Sequence, residues 1–256
     1  MKGRKMANRF DAILTAIAPI EGMLSDFSIA VMDCVLQFQA DNGISGHLVE
    51  FGVYKGRSLA LLGCHARAGE RLIGVDVADY LDRSRIAGVP GLEFVRSSSE
   101  EFKAGFADYR RIKHSCRLLH IDSSHFFSTT IAELAMSDEL ICDRGIVILD
   151  DFTNLDYSQI LAATYNYLYT RRTKLCVFLV TTEKAYLCRK SDFPLYGGFV
   201  LDRIVDEMAA RGVANACIAR TDINPNYRAF SLRLRLGNEQ DKRYGSELYK
   251  HYYQQP

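Results

Sequence analysis

The chain has 256 residues, of which 48% are hydrophobic, and its formal net charge is +1 at pH 7. This length is typical of one large domain with a substantial buried core. The near-neutral charge argues against nucleic acid or an anionic membrane as a partner, since both would require a basic surface. No stretch approaches the roughly 20 consecutive apolar residues of a membrane-spanning helix.

Seven cysteines are scattered along the chain without a C-x-x-C pair. An odd number without metal-ligand spacing favours reduced thiols in a cytoplasmic protein. The N-terminal apolar run over residues 12–20 is short, contains Thr15 and Pro19, and is flanked by Asp11 and Glu21. We therefore predict an amphipathic helix there and not an export signal.

Apolar spacing predicts helices that alternate with strands. Residues 8–42 form one predicted helix, because Phe27, Val31 and Val35 recur at helical spacing and Gly43 can close the end. Predicted strands then cover 47–51, 71–76, 92–96, 117–122, 145–150, 175–181 and 185–189, and predicted helices cover 58–67, 99–109, 129–142 and 157–171. This alternation predicts an α/β fold with a doubly wound, mostly parallel, seven-stranded sheet and helices on both faces.

The pattern loosens after residue 190. A helix is predicted over 200–211, and residues 227–236 alternate so that Phe230 and Leu232 share a face. We interpret this segment as a half-buried strand at a sheet edge or an interface, and we expect a homodimer from it. The chain is therefore divided into N-terminal helices (1–44), a core (45–190) and a C-terminal extension (191–256).

The first predicted strand runs into a turn with the spacing E-x-G-x-x-x-G-x-S. Gly52 lets the backbone turn sharply, and Gly56 lets a ligand or a helix approach closely. Ser58 and the free amides at the helix start can hold a carboxylate or a phosphate. Asp76 ends the second strand, where it can accept hydrogen bonds from ribose hydroxyls.

Glu50 indicates which ligand this turn binds. A carboxylate just before the turn repels a pyrophosphate and attracts an ammonium group, and the G-x-G-x-x-G spacing of a dinucleotide site is missing. A nucleoside that carries an amino acid, such as S-adenosylmethionine, suits this pattern. The alternative is a helix-packing turn with an exposed glutamate.

Three carboxylates follow two strands that should be neighbours in the sheet. Asp122 ends the fourth predicted strand, and Asp150 and Asp151 end the fifth. Close carboxylates repel one another unless a cation lies among them, and hard oxygen ligands suit Mg²⁺. The pattern predicts a magnesium site, with the alternative that Asp150 caps the next helix and Asp151 is solvated.

A histidine lies three residues beyond the first of these carboxylates. An ordinary imidazole pKa suits a general base for a hydroxyl, so His125 is the predicted base. The alternative is a histidine packed at the sheet edge. We interpret His120, on the strand itself, as a core histidine with its hydrogen bonds satisfied.

The segment LVEFGVYKGRSLALLG closely resembles the cofactor turn of class I S-adenosylmethionine-dependent methyltransferases. Among these, the chain looks most like the metal-dependent O-methyltransferases of the catechol and macrocin types, over about residues 45–190. The resemblance implies a Rossmann-like methyltransferase fold. It also implies methyl transfer to a hydroxyl of a small molecule, such as a phenol, a sugar or a natural product.

The resemblance also implies roles for the residues of the turn. Glu50 would lie near the methionine amine, Asp76 would bind the ribose, and Gly52, Gly56 and Ser58 would line the methionine end.

Further roles follow for the residues at the later strand ends. Asp122, Asp150 and Asp151 would be the metal ligands, and Asp122 would also contact the cofactor and act with His125, which matches the macrocin-type base. The third strand ends FVRSSSEEF, where relatives often place an acid near the adenine, so we expect Ser97 or Ser98 to replace that contact.

Three other functions stay open. A nicotinamide-dependent dehydrogenase fits least, because of Glu50 and the glycine spacing, and the remaining two keep the fold and its cofactor. One is a methyltransferase that needs no metal, in which the acids serve as caps. The other is a non-catalytic scaffold that binds S-adenosylmethionine. We expect the acceptor pocket to draw on the N-terminal helices, the loop after Asp151 and the C-terminal segment.

Overall fold

The computed structural model describes residues 2–86, 89, 91–220 and 229–236, and it describes no side chain for residues 2–8 and 220. The helices are α1 (Lys2–Ile17), α2 (Asp26–Asp41), α3 (Arg57–Gly63), α4 (Arg83–Ile86), α5 (Ser99–Gly105), α6 (Phe127–Leu140), α7 (Ser158–Thr170), α8 (Phe193–Asp202) and α9 (Ile204–Ala209). The strands are β1 (His47–Phe51), β2 (Leu72–Asp76), β3 (Leu92–Arg96), β4 (Cys116–Ile121), β5 (Ile141–Leu149), β6 (Leu175–Val180), β7 (Ala185–Arg189), β8 (Ala216–Arg220) and β9 (Phe230–Leu234). No described helix has the length and apolar character to cross a membrane.

The strands form one mixed sheet in the order β3-β2-β1-β4-β5-β7-β6-β9-β8. The five strands from β3 to β5 are parallel, and β7 runs antiparallel to both of its neighbours. The chain builds outward from β1 to β3 and then returns to place β4 on the other side of β1. The carboxyl ends of β1 and β4 therefore flank a topological switch point, where open α/β sheets bind their ligands.

Alternate strand residues supply two cores on opposite faces of the sheet. Leu48 and Leu118 pack with α1, α2, α3, α8 and α9, whereas Val49 and Leu119 pack with α5, α6 and α7. Both faces of the sheet are covered by helices, which confirms the predicted α/β class.

The C-terminal extension departs from the prediction. The described sheet has nine strands and not seven, because β8 and β9 extend it beyond β6. β9 lies between β6 and β8, so it is not an edge strand, and Phe230 and Leu232 are buried inside the protein. The homodimer stays a prediction, but the edge strand that suggested it is absent from the described sheet. The start of the predicted strand (227–228) and residues 237–256 lie outside the described part.

The N-terminal region also differs, since the predicted helix over 8–42 is two helices. α1 ends at Ile17, two residues before Pro19, which cannot donate a backbone hydrogen bond. α2 begins after Ser25, whose side chain accepts a hydrogen bond from the backbone N–H of Ser28. The break places the connecting residues 18–25 over the carboxyl ends of the strands.

A buried arginine ties the switch-point strands to the helices at the opposite end of the sheet. The side chain of Arg117, on β4, is 1% exposed and donates two hydrogen bonds of 2.9 Å to Glu70. Its other donors reach the side chain of Gln39 and the backbone carbonyl of His65. Burial alone would raise the pKa of Glu70, but the hydrogen bonds from Arg117 and Arg67 lower it to about 2.

We predict that Glu70→Gln lowers the free energy of unfolding by roughly 3 kcal/mol at pH 7, since it leaves a buried guanidinium without its counter-ion. Because the folded pKa lies below the ordinary value, this contribution is present above about pH 4.5 and is lost as the pH falls through about 2. Urea unfolding of both proteins between pH 7 and pH 2.5 measures it. Glu93→Gln, which removes a surface partner of Arg71, is the control and should cost less than about 1 kcal/mol. Equal losses in the two variants would contradict the prediction.

Candidate active site

A cavity of about 800 Å³ opens at the carboxyl ends of the parallel strands. Its wall combines the turn after β1, the ends of β2 and β3, and the loops after β4 and β5. The predicted site residues that line it are Gly52, Ser58, Asp76, Ser98, Asp122, His125, Asp150 and Asp151. The structure therefore brings eight of the ten predicted site residues to one cavity.

The other two predicted residues lie behind the cavity wall. Glu50 is 0% exposed, and its Oε1 lies 2.6 Å from Nδ1 of His120. An added Cβ at Gly56 would lie 2.6 Å from a side-chain carbon of Leu81, so this glycine accommodates a neighbouring loop. The immediate partner of Glu50 is thus a histidine and not the cavity, and Gly56 does not line the cavity.

The turn after β1 packs directly on the backbone that follows β4. Gly52 has φ +84°, and a Cβ at this position would lie 1.8 Å from the carbonyl oxygen of Asp122. The carboxylate of Asp76 accepts hydrogen bonds from the backbone N–H groups of Val53 (2.8 Å) and Tyr54 (2.9 Å). Asp76 therefore braces the turn, and the predicted ribose contact would use its remaining lone pairs.

A row of buried charges underlies the site. His120, paired with Glu50 on one side, places Nε2 3.8 Å from the carboxylate of Asp150. The same carboxylate forms an ion pair with the ammonium of Lys184, whose side chain is 1% exposed. The Lys184 ammonium lowers the pKa of Asp150 against the effect of burial, and the Glu50 carboxylate likewise raises the pKa of His120.

The remaining two carboxylates lie on either side of the predicted base. Nε2 of His125 is 3.0 Å from Asp151 and 3.5 Å from Asp122, at angles that make these contacts ion pairs and not hydrogen bonds. The imidazole stacks on the ring of Tyr157 with centroids 4.2 Å apart. His125 (φ +60°) and Asp151 (φ +52°) both adopt left-handed backbone conformations, which cost free energy and are common at functional sites.

These contacts change the protonation of the cluster. Asp122, followed by Asp151, raises the pKa of His125 to about 9. Burial raises the pKa of Asp122 to about 6, whereas the contact with His125 lowers the pKa of Asp151. These shifts favour a protonated His125 beside two carboxylates at neutral pH.

The carboxylates and imidazoles at the site offer some of the ligands that a divalent cation requires. Oxygens of Asp122 and Asp151 lie within 4.8 Å of each other and of a ring nitrogen of His125, and His120, Asp122 and Asp150 form a second such group. Carboxylate oxygens suit Mg²⁺, which often binds only one or two of them. Asp150 differs from the other two, because Lys184 already neutralises it.

The sequence analysis did not predict three charged residues at the site, namely Lys184, Glu183 and Glu133. Lys184 follows a hairpin turn, and only the position of β7 beside β5 brings it to Asp150. Glu183, beside it, accepts hydrogen bonds from the hydroxyls of Ser25 and Ser28 and so holds the N-terminal segment over the cavity. Glu133 lies in the apolar stretch of α6, and a single acid among apolar residues was a signal that could have identified it.

Two of the segments expected to form the acceptor pocket line the cavity. Residues 21–24 of the N-terminal segment and Tyr157 of the loop after Asp151 line the cavity. Tyr167, on α7, does not line the cavity and donates a hydrogen bond to Asp138. No described residue of the C-terminal extension lines the cavity.

The sequence profile of a family described as a methyltransferase domain matches residues 49–152, which span the turn, β2 and the three carboxylates. Over these residues the chain is similar to a methyltransferase domain. A comparison with curated proteins found no significant sequence match. The matched segment contributes most of the cavity wall.

Solved structures share the fold of this chain at low sequence identity. An O-methyltransferase from Bacillus cereus in complex with SAH is 12% identical, with a TM-score of 0.51 over 70% of this chain and 89% of its own. Cofactor-bound Rv0187 from MTB is 16% identical, with a TM-score of 0.51 over 71% and 89%. A candidate O-methyltransferase from Klebsiella pneumoniae is 12% identical, with a TM-score of 0.53 over 71% and 89%.

We predict that Gly52→Ala destabilises the protein by roughly 3 kcal/mol and abolishes binding of S-adenosylhomocysteine, since a side chain cannot fit against Asp122 at this φ. Urea unfolding and calorimetric titration measure the two effects. Gly198→Ala is the control, because its Cβ would meet nothing within 4 Å in α8 and should stabilise slightly. Retention of full affinity in Gly52→Ala would show that the turn does not shape the cofactor site.

Proposed function

We propose that the protein transfers a methyl group from S-adenosylmethionine to a hydroxyl of a small molecule. The observation that carries this proposal is the position of His125, a titratable base between two carboxylates in the wall of the cavity. The similarity to a methyltransferase domain supports the cofactor class, and the O-methyltransferase from Bacillus cereus supports oxygen as the acceptor atom.

The cofactor would lie along the turn after β1. Gly52 leaves room for it, Ser58 offers a hydroxyl, and Asp76 and Ser98 line the cavity where the ribose and the base would follow. This arrangement would direct the sulfonium methyl towards the loop that carries His125. Holding the methyl and the attacking oxygen in line would supply much of the rate enhancement.

The deprotonated form of His125, whose fraction grows as the pH rises towards its pKa of about 9, would accept the hydroxyl proton as the oxygen attacks the methyl carbon. The carbon–sulfur bond breaks at the same time, its electrons stay on sulfur, and S-adenosylhomocysteine leaves. Asp122 and Asp151 would stabilise the imidazolium that forms, because both carboxylates already lie within 3.5 Å of Nε2. Stacking on Tyr157 would keep the ring in the orientation that proton transfer requires.

Asp122 and Asp151 would hold a divalent cation such as Mg²⁺, which when bound supplies a positive charge that lowers the pKa of the acceptor hydroxyl. This pair replaces the three ligands predicted from the sequence. Asp150 is left out because its carboxylate already has Lys184 as a counter-ion.

The Lys184–Asp150 pair also favours a second candidate, a methyltransferase of the same fold that needs no metal. Each of the three carboxylates already has a cationic partner in the chain: Lys184 for Asp150, and His125 for Asp122 and Asp151. The repulsion that led to the magnesium prediction is therefore offset within the protein.

We predict that His125→Asn lowers the rate of methyl transfer roughly 100- to 10,000-fold, because the general base is lost. Asparagine tolerates the left-handed backbone at this position. The assay measures S-adenosylhomocysteine release with a panel of phenolic and sugar hydroxyls, and calorimetry should find cofactor affinity nearly unchanged.

His114→Asn is the matched control for this variant, because His114 has φ +56° and is exposed far from the cavity. It should keep full activity. If His125→Asn also keeps full activity, the base is misassigned. If the unaltered protein binds S-adenosylhomocysteine but methylates no acceptor, the protein is a non-catalytic scaffold.

We predict that Mn²⁺ binds the protein, that Asp151→Asn abolishes this binding, and that EDTA stops turnover until Mg²⁺ is added. Electron paramagnetic resonance of free Mn²⁺ measures binding independently of activity. Asp143→Asn, at a carboxylate that is 92% exposed, is the control and should bind Mn²⁺ normally. Full turnover in EDTA without bound Mn²⁺ would instead support the metal-free candidate.

A further inference from the structure

Lys184 is a buried cation beside the site that the methyl-transfer reaction does not use. Its side chain is 1% exposed and forms an ion pair with the carboxylate of Asp150. Asp150 lines the cavity, whereas Lys184 does not and lies behind the wall. The ammonium therefore contacts this carboxylate from the protein side, while a ligand in the cavity would approach it from the opposite side.

The strand pairing fixes the contact between Lys184 and Asp150. Leu149 on β5 pairs with Ala185 on the antiparallel β7. Asp150 follows the first of these residues and Lys184 precedes the second, so the two side chains meet at the same end of the strands. The backbone N–H of Lys184 also donates a hydrogen bond of 3.0 Å to the hydroxyl of Thr181. The register of the sheet, and not a surface rotamer, therefore brings the ammonium to the carboxylate.

Both carboxylate oxygens of Asp150 have donors within the chain. Oδ1 accepts a hydrogen bond of 2.8 Å from the backbone N–H of Asp151, and Oδ2 contacts the ammonium of Lys184. The carboxylates of Asp122 and Asp151 differ, because no described lysine or arginine forms an ion pair with either of them. Their cationic neighbour among the described residues is His125. The three carboxylates of the site are therefore not equivalent.

This difference changes how strongly each carboxylate attracts a divalent cation. Donor atoms of His120, Asp122 and Asp150 lie within 4.8 Å of one another and form one possible ligand group. A cation there would share the carboxylate of Asp150 with the ammonium of Lys184, and two positive charges at this range repel each other. The ammonium therefore weakens the attraction of Asp150 for a second cation. The carboxylates of Asp122 and Asp151 are left to hold it.

We propose that Lys184 sets the metal affinity of the site, because its ammonium keeps Asp150 out of the set of metal ligands. The inference rests on the proposed function, in which Asp122 and Asp151 hold a divalent cation. Lys184 is a positioning residue, since it acts through Asp150 and lies behind the cavity wall. With two carboxylates in place of three, the site holds Mg²⁺ weakly and leaves it most of its bound waters.

The test measures Mn²⁺ affinity by electron paramagnetic resonance in the unaltered protein and in two variants. Lys184→Met removes the ammonium, so the released carboxylate of Asp150 should raise the affinity at least about 10-fold. A merely structural role of Lys184 predicts a loss of affinity and not a gain. In the double variant Asp150→Asn/Lys184→Met both partners are neutral, so the affinity should stay within about threefold of the unaltered protein.

Thermal unfolding gives a second measurement on the same proteins. Lys184→Met leaves a buried carboxylate without its counter-ion, so the variant should unfold at a lower temperature than the unaltered protein in EDTA. Mn²⁺ should raise this unfolding temperature more than that of the unaltered protein, because it supplies the positive charge that the substitution removed.

Lys113→Met is the matched control, since Lys113 also pairs with a carboxylate, that of Glu139, but does not line the cavity. It should leave Mn²⁺ affinity unchanged. Unchanged or weaker Mn²⁺ binding in Lys184→Met would overturn the inference. So would weaker binding in the double variant, which decides alone if Lys184→Met does not fold. Failure of the unaltered protein to bind S-adenosylhomocysteine or to methylate any hydroxyl would overturn the proposed function instead.

Discussion

The site depends on a buried row of alternating charges that crosses four neighbouring strands. Glu50 on β1 pairs with His120 on β4, His120 approaches Asp150 after β5, and Asp150 pairs with Lys184 before β7. Charges removed from water are tolerated only when their partners are close. The row therefore fixes the carboxyl ends of these strands relative to one another. It also neutralises Asp150, which leaves Asp122 and Asp151 as the two carboxylates next to His125.

Close backbone packing adds a second constraint. Gly52 allows the turn after β1 to contact the carbonyl of Asp122, and Asp76 holds the same turn through two backbone amides. The cofactor side and the reaction side of the cavity are thus joined by direct contacts, not by a flexible linker. A shift of the turn would move Asp122 and, with it, the contact between Asp122 and His125.

Residues whose position follows from the local pattern were predicted well. Asp122, Asp150 and Asp151 come directly after apolar strands, and parallel strands bring their carboxyl ends to one edge, so their convergence followed from the chain. The α/β class followed for the same reason. The environment of Glu50 was harder to predict. Its place before the turn is visible in the sequence, but its burial against His120 depends on the register of β1 with β4. The break after Ile17 was missed although Pro19 marks it, since the apolar spacing on both sides is helical.

Other features depended on contacts between segments that are far apart in sequence. Lys184 reaches Asp150 only because β7 inserts antiparallel between β5 and β6, and Glu133 enters the cavity only because α6 packs beside α5. β9 alternates like an edge strand, yet β8 covers its outer side. The sequence by itself determined the order of elements, the glycine turn and the three carboxylates, since periodicity and strand ends are local. Only the tertiary structure decided which charges are neutralised and which are left for a ligand, because that depends on which distant side chains share the same buried space.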